Sequence, residues 1–152
     1  MSCGKHFDSD NCVCDVLREI ADAQTDVLPI ECDSSCEQSI ADLLGEREDT
    51  NGLDTVPVLL YCDCKPFKGF GAPYEEIGNL FGSFFFRVKE VDEDCCATLE
   101  LLRTPGDTCK DPESPVDQDT SNLRTTGICI TVDVKCFCHI TCLPAIDAIT
   151  RV

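Results

Sequence analysis

Apolar residues recur at Val13, Val16, Leu17, Ile20, Ala23 and Val27, with Asp15, Arg18, Glu19 and Asp22 between them. Steps of three and four put the apolar set on one helical face, which predicts an amphipathic helix over about 12–27. Asp10 or Asn11 supplies a cap, and Pro29 marks the end. Residues 1–11 are polar and read as a flexible arm, followed by one cysteine-rich domain over 12–152. Cys32, Ser34, Ser35 and Cys36 suit a turn, and Ile40 to Leu44 a short helical turn ended by Gly45. Asn51-Gly52 is a strong turn signal.

From residue 55 the period changes to two. Thr55 to Tyr61 is apolar, with Pro57 favouring an edge or a strand start. Pro66 to Phe70 suits a short second strand. In 83–91, Phe84, Phe86 and Val88 share one face. In 95–102, Ala97, Leu99 and Leu101 point inward, and Thr98 and Glu100 outward. Asp92-Glu93-Asp94 joins these two segments tightly, which predicts an antiparallel hairpin. Residues 104–124, rich in Pro, Asp, Thr and Ser, read as a long exposed loop. Gly127 to Ile140 is the clearest strand, with Ile128, Ile130, Val132, Val134, Cys136 and Cys138 on one face. Cys129, Thr131, Asp133, Lys135, Phe137 and His139 lie on the other. Pro144 to Ile149 suits a short helix with Pro at its first position. Together these segments predict a mainly β fold: an antiparallel, β-sandwich-like single domain with one N-terminal amphipathic helix.

Charge narrows the function. The net charge of −17 opposes nucleic-acid binding, which needs cations to displace phosphate counterions. It equally opposes docking on anionic membranes, and no apolar run reaches the length of a membrane span.

Cysteine changes the picture most: there are 14 in 152 residues, the density of a disulfide scaffold. Such scaffolds usually follow a signal peptide, yet Met1 to Phe7 has no apolar core of one. Three readings stay open: the thiols hold metal, the protein is made in a reducing cytosol and oxidised later, or a signal has been removed. The cysteines fall mainly in pairs. Cys12/Cys14, Cys62/Cys64 and Cys136/Cys138 are C-x-C, Cys32/Cys36 and Cys138/Cys142 are C-x3-C, and Cys95-Cys96 is adjacent. Cys3, Cys109 and Cys129 stand alone. No C-x2-C occurs, which removes the turn used by zinc ribbons and thioredoxin-like sites. C-x-C pairs do occur in thiolate clusters, so metal storage is the alternative function. Only His6 and His139 offer imidazole.

Cys3 lies in the polar arm, and Cys12 and Cys14 at its base, where a helix N-terminus favours thiolate. With Cys109 in the acidic loop, these are the candidates for bridges between subunits. Cys32, Cys36, Cys62, Cys64, Cys95, Cys96, Cys129, Cys136, Cys138 and Cys142 are candidates for other disulfides or buried thiols, with Cys129, Cys136 and Cys138 expected buried or bridged within the subunit. A catalytic reading has one weak foothold, a Cys129–His139 dyad on one strand face. No phosphate loop or calcium loop accompanies it. No catalytic residue, metal ligand or cofactor is assigned.

Met1-Ser2-Cys3-Gly4-Lys5, Asn11 to Val16, Asp54 to Pro57, Phe84 to Val88, Cys95 to Leu99 and Ile128 to Asp133 form a set of blocks spanning the chain, closed by Cys136 to Leu143. This set resembles the cysteine-rich spore coat proteins CotY and CotZ of endospore-forming bacilli, with their exosporium relative ExsY. The resemblance implies a structural, non-enzymatic protein of the spore coat or exosporium. It implies self-assembly into a cross-linked two-dimensional lattice with copies of itself and other coat or exosporium proteins. It also selects among the three readings: assembly in the mother-cell cytoplasm, without a signal peptide, and oxidation afterwards.

Overall fold

The computed structural model describes residues 34–45 and 52–149 throughout, and before them positions 16, 19, 20 and 22–24. The chain divides into two compact units, residues 1–33 and 34–152. In the first, every described position is helical, within the span expected for the N-terminal helix. The ends of that helix, and the expected boundary between arm and domain at 11/12, lie outside the described residues.

The second unit is mainly β. It opens with helix α1 (Cys36–Leu43), where Ser35 Oγ accepts a hydrogen bond from Gln38 N at 3.1 Å and caps the first turn. Gly45, at φ 77°, leaves the helix in the left-handed region. Eight strands follow among the described residues: β1 (Val58–Cys62), β2 (Lys65–Pro66), β3 (Gly69–Gly71), β4 (Phe81–Ser83), β5 (Phe86–Val91), β6 (Cys96–Arg103), β7 (Arg124–Asp133) and β8 (His139–Cys142). All pairings are antiparallel. Val58 pairs with both Cys142 and Phe86, so β8 and β5 lie on opposite edges of β1. The sheet therefore runs β8-β1-β5-β6-β7, with β2 sharing an edge of β1 with β5.

This order forces the sheet to curl. β7 and β8 are the outermost strands, yet only residues 134–138 join them. Val134–Cys136 is a 3-10 turn, which advances only about 2 Å per residue. The outer strands of a flat five-stranded sheet would be roughly 19 Å apart, too far for that linker. The two ends must approach one another, and Ala97, Leu99 and Leu101 of β6 meet Val58, Leu60, Phe81 and Phe86 in the resulting core. The short β3–β4 sheet packs across the same face. A Cβ on Gly69 would fall 2.7 Å from Ile130 Cδ1, so that close approach needs glycine.

Several expectations require correction. The strand expected over 127–140 stops at Asp133, whose carboxylate accepts from Lys135 N at 2.9 Å and turns the chain. The alternation expected through the triple Phe breaks at 84–85. Phe86 enters the core above, while Phe84 and Phe85 join Leu102, Leu123 and Ala148 in a second cluster. A buried polar knot holds that break: Ser83 Oγ donates to Leu102 O at 2.7 Å and accepts from Phe85 N, and Gln118 Oε1 accepts from Phe84 N at 2.9 Å. Gln118 belongs to the loop expected to be exposed; its side chain is buried, as are Leu123 and Pro112. Finally, 144–149 is extended rather than helical, with Ile146 bridging Thr55 and the Asp54 carboxylate accepting from Ala148 N at 2.9 Å.

Glu100, expected outward, is also buried. Its carboxylate pairs with Lys89 Nζ at 3.5 Å and accepts from Gly127 N at 2.8 Å, which compensates its desolvation.

Candidate functional site: the cysteine network

Two disulfides lie within the second unit. Cys36–Cys142 fastens α1 to β8 across a Cα–Cα distance of 4.7 Å. Beside it Ser39 Oγ donates to Leu143 O at 2.8 Å. Cys62–Cys136 joins the end of β1 to the 3-10 turn that closes the sheet, at 5.9 Å between Cα atoms. Both distances lie in the range that disulfides span without backbone movement.

The remaining described cysteines are free: Cys95 is half-buried, and Cys64, Cys96, Cys109, Cys129 and Cys138 are exposed. Two stand at hairpin tips in strained conformations. Cys62 pairs with Lys65, so Asp63 and Cys64 form a two-residue loop, at φ 53° and 63°. Both central residues are left-handed, as a type I′ turn requires, a position where glycine is normally preferred at the second site. Cys95, also at φ 63°, ends the β5–β6 turn, in which Asp92 Oδ1 accepts from Asp94 N and Cys96 N, both at 2.9 Å. Left-handed backbone costs a residue with a Cβ about 1–2 kcal/mol.

The network concentrates where the sheet closes. Cys95 O accepts from Val134 N at 2.9 Å, Cys136 follows two residues on, and Cys138 N donates to Tyr61 O at 2.9 Å, next to Cys62. Elsewhere, Cys109 N donates to Asp107 Oδ1 at 2.9 Å, and Arg103 Nη2 donates to Cys109 O at 3.3 Å. Cys129 faces outward from β7 opposite Glu100. Cys3, Cys12, Cys14 and Cys32 lie outside the described residues.

These placements correct part of the sequence expectation. Cys129 and Cys138, expected buried or bridged, are exposed thiols, as are Cys64 and Cys96. Cys129 lies on the outer face of β7, opposite the apolar face of Ile128 and Ile130, and the break at 134–136 leaves Cys138 in the linker before β8. The same break removes the shared face on which a Cys129–His139 dyad depended. His139 instead stacks edge-on with Tyr61, at 4.5 Å between centroids, and its Nε2 lies 2.9 Å from Thr141 Oγ1. What periodicity missed is the closure itself, because only a long-range contact sets Cys62 beside Cys136. Among the described residues, no three His, Cys, Asp or Glu side chains converge as a metal site would require. No helix among them is long and apolar enough to cross a membrane.

No solved structure matches the chain. The family model for spore coat protein Z matches residues 1–145. Spore coat protein Z of Bacillus subtilis (strain 168) is 34% identical over 142 residues, covering 88% of each chain. The cysteine blocks that carried the sequence resemblance fall within the span matched by the family. The chain, a curled antiparallel sheet with disulfides at its seam and on its helix, matched almost end to end, belongs to the spore coat protein Z family.

Proposed function

We propose that the protein is a structural, non-enzymatic subunit of the outer spore layers, coat or exosporium. It self-assembles into a two-dimensional lattice with copies of itself and with other coat proteins, and intersubunit disulfides then lock the lattice. Assembly takes place in the mother-cell cytoplasm, and oxidation follows. The observation that carries this reading is the set of five exposed free thiols among the described residues. Free Cys is usually a buried residue type, and two of the described thiols, Cys64 and Cys95, occupy strained left-handed positions at hairpin tips. Exposed apolar side chains supply adhesion before cross-linking: Phe70, Tyr74, Ile77 and Leu80 cluster within one segment, Tyr74 at 90% exposure. Cys3, Cys12, Cys14 and Cys109 are the proposed intersubunit cysteines, and Cys109 is exposed.

The test is electrophoresis of purified, air-oxidised protein with and without reductant, followed by mapping of linked peptides. The expected result is material too large to enter the gel, released as monomer by reductant with denaturant, and cross-linked peptides containing Cys3, Cys12, Cys14 or Cys109. Monomer on the non-reducing gel, with bound metal released by a chelator, would overturn the lattice in favour of thiolate metal storage.

A further inference from the structure

Strands β1 and β8 pair in steady register from Val58–Cys142 to Tyr61–His139. One step further would set Cys138 opposite Cys62, at the roughly 4.5–5.5 Å that separates facing strand residues, a span a disulfide accommodates. Cys62 is nevertheless bonded to Cys136. Cys138 stays free and exposed, with its Sγ 3.5 Å from Tyr61 O. The Tyr61 carbonyl carbon is bonded to the Cys62 nitrogen, so the Cys138 thiol lies one peptide unit from Cys62. Along its own chain it lies two residues from Cys136. A free thiol thus stands beside both halves of an existing disulfide. That disulfide is not sealed from solvent, Cys62 being half-buried and Cys136 exposed.

We propose that Cys62, Cys136 and Cys138 form a thiol–disulfide exchange site, in which the bond to Cys62 moves between Cys136 and Cys138. Cys138 releases its proton to solvent, and its thiolate attacks Cys62 Sγ. A Cys62–Cys138 bond forms, the Cys62–Cys136 bond breaks, and the electron pair leaves on Cys136 Sγ, which takes a proton from solvent. One disulfide and one thiol are present before and after, so no oxidant is needed. The exchange takes place within one chain and stands apart from the lattice proposed above.

The experiment uses the full chain in its soluble monomeric fraction, held without air or added oxidant and then quenched with excess N-ethylmaleimide. Cleavage after Lys135 and Phe137 places Cys136 and Cys138 in separate peptides. Two linked species are expected, Cys62–Cys136 with Cys138 alkylated and Cys62–Cys138 with Cys136 alkylated. In Cys138→Ser, alkylation of Cys136 should be lost. In Cys136→Ser, oxidised in air before the anaerobic hold so that oxygen takes up the two electrons, a Cys62–Cys138 bond should form. A wild-type chain with Cys136 never alkylated overturns the proposal. So does a Cys138→Ser chain with Cys136 still alkylated, because another thiol then performs the exchange. An air-oxidised Cys136→Ser chain whose Cys62 stays free shows that Cys138 does not reach it, and also overturns the proposal.

Discussion

Replacing Cys64 with glycine is expected to make the protein more stable. Cys64 is the second central residue of the β1–β2 turn, at φ 63°, and its thiol is exposed and free. A side chain with a Cβ pays about 1–2 kcal/mol in that region. Glycine removes this term but loses about 0.5–1 kcal/mol through its more flexible unfolded chain. Cys64→Ala keeps the Cβ and separates the two effects: it removes the sulfur and leaves the backbone strained. Glycine should therefore exceed alanine by about 1 kcal/mol, or roughly 2–4 °C in Tm for a chain of this size. The assay is equilibrium urea unfolding of wild type and both variants, at mildly acidic pH so that few thiols are ionised and exchange is slow. A glycine variant no more stable than the alanine variant would refute the strain argument. The wild-type chain keeps a cysteine where the backbone favours glycine, and the same holds at Cys95. Strain retained at an exposed position is a mark of a side chain kept for its chemistry.

Three further outcomes are expected. Gly71→Ala should destabilise by about 1–3 kcal/mol, because its Cβ would press on Ile128 Cγ2 and lie 3.0 Å from Leu101 Cδ1; Gly78→Ala, with nothing within 4 Å, is the control, and equal melting temperatures would contradict the packing of β3 on the sheet. Burial pushes the Asp54 carboxyl up, but hydrogen bonds from Ala148 N, the Thr55 hydroxyl and Ile149 N, together with one shared with the Asp147 carboxyl, outweigh this and hold it below the ordinary value. Its stabilisation is therefore full above the unfolded pKa of about 3.9 and lost as pH falls through the lower folded value; the stability gap between wild type and Asp54→Asn should close across that acid window, and a gap unchanged down to the lowest pH would contradict the linkage. Replacing Cys36 and Cys142 together with alanine removes a cross-link between residues 106 apart, for which chain entropy gives about 4–5 kcal/mol; a change under about 1 kcal/mol in urea unfolding would show that α1 contributes little to holding β8.

The β5–β6 hairpin was legible because its alternation is local: Ala97, Leu99 and Leu101 are all buried, as the period of two requires. β7 was legible as far as Asp133. Beyond it Val134, Cys136 and Cys138 continue the same alternation, but the chain must cross from one end of the sheet to the other, and tertiary closure overrides the pattern. The C-terminal segment failed for the same reason. Pro144 is a good first helical residue, yet Ile146 finds a strand partner in Thr55, far away in sequence. Gln118 reads as a loop residue by composition, and nothing local reveals that Phe84 N and Ser83 Oγ need it. At the cysteines, spacing showed that Cys62 and Cys136 each belong to a C-x-C pair. It did not show that the first members of the two pairs bond, because the sheet must curl before they meet.

The placement of the free thiols bears on what kind of polymer the proposed cross-linking can make. A subunit with one linking position gives dimers, and one with two gives chains. A sheet needs at least three positions, not all along one line. Cys96 begins β6, and the backbone of Cys109 is held by Arg103, the last residue of that strand. Eight residues of strand separate these ends by about 23 Å. Cys129 adds a third position on the outward face of β7, opposite Glu100 in the middle of β6. In the proposed lattice these three positions would supply the valence that a two-dimensional network demands, even before Cys3, Cys12 and Cys14 are counted. The two disulfides among the described residues serve a different end, since Cys62–Cys136 holds the seam of the sheet and Cys36–Cys142 holds its helix. The division follows the fold: Cys62–Cys136 and Cys36–Cys142 bond where distant parts of the chain meet, Cys138 stays free beside the seam, and the thiols of Cys64, Cys96, Cys109 and Cys129 are exposed at turns, on the long loop and on an outer face.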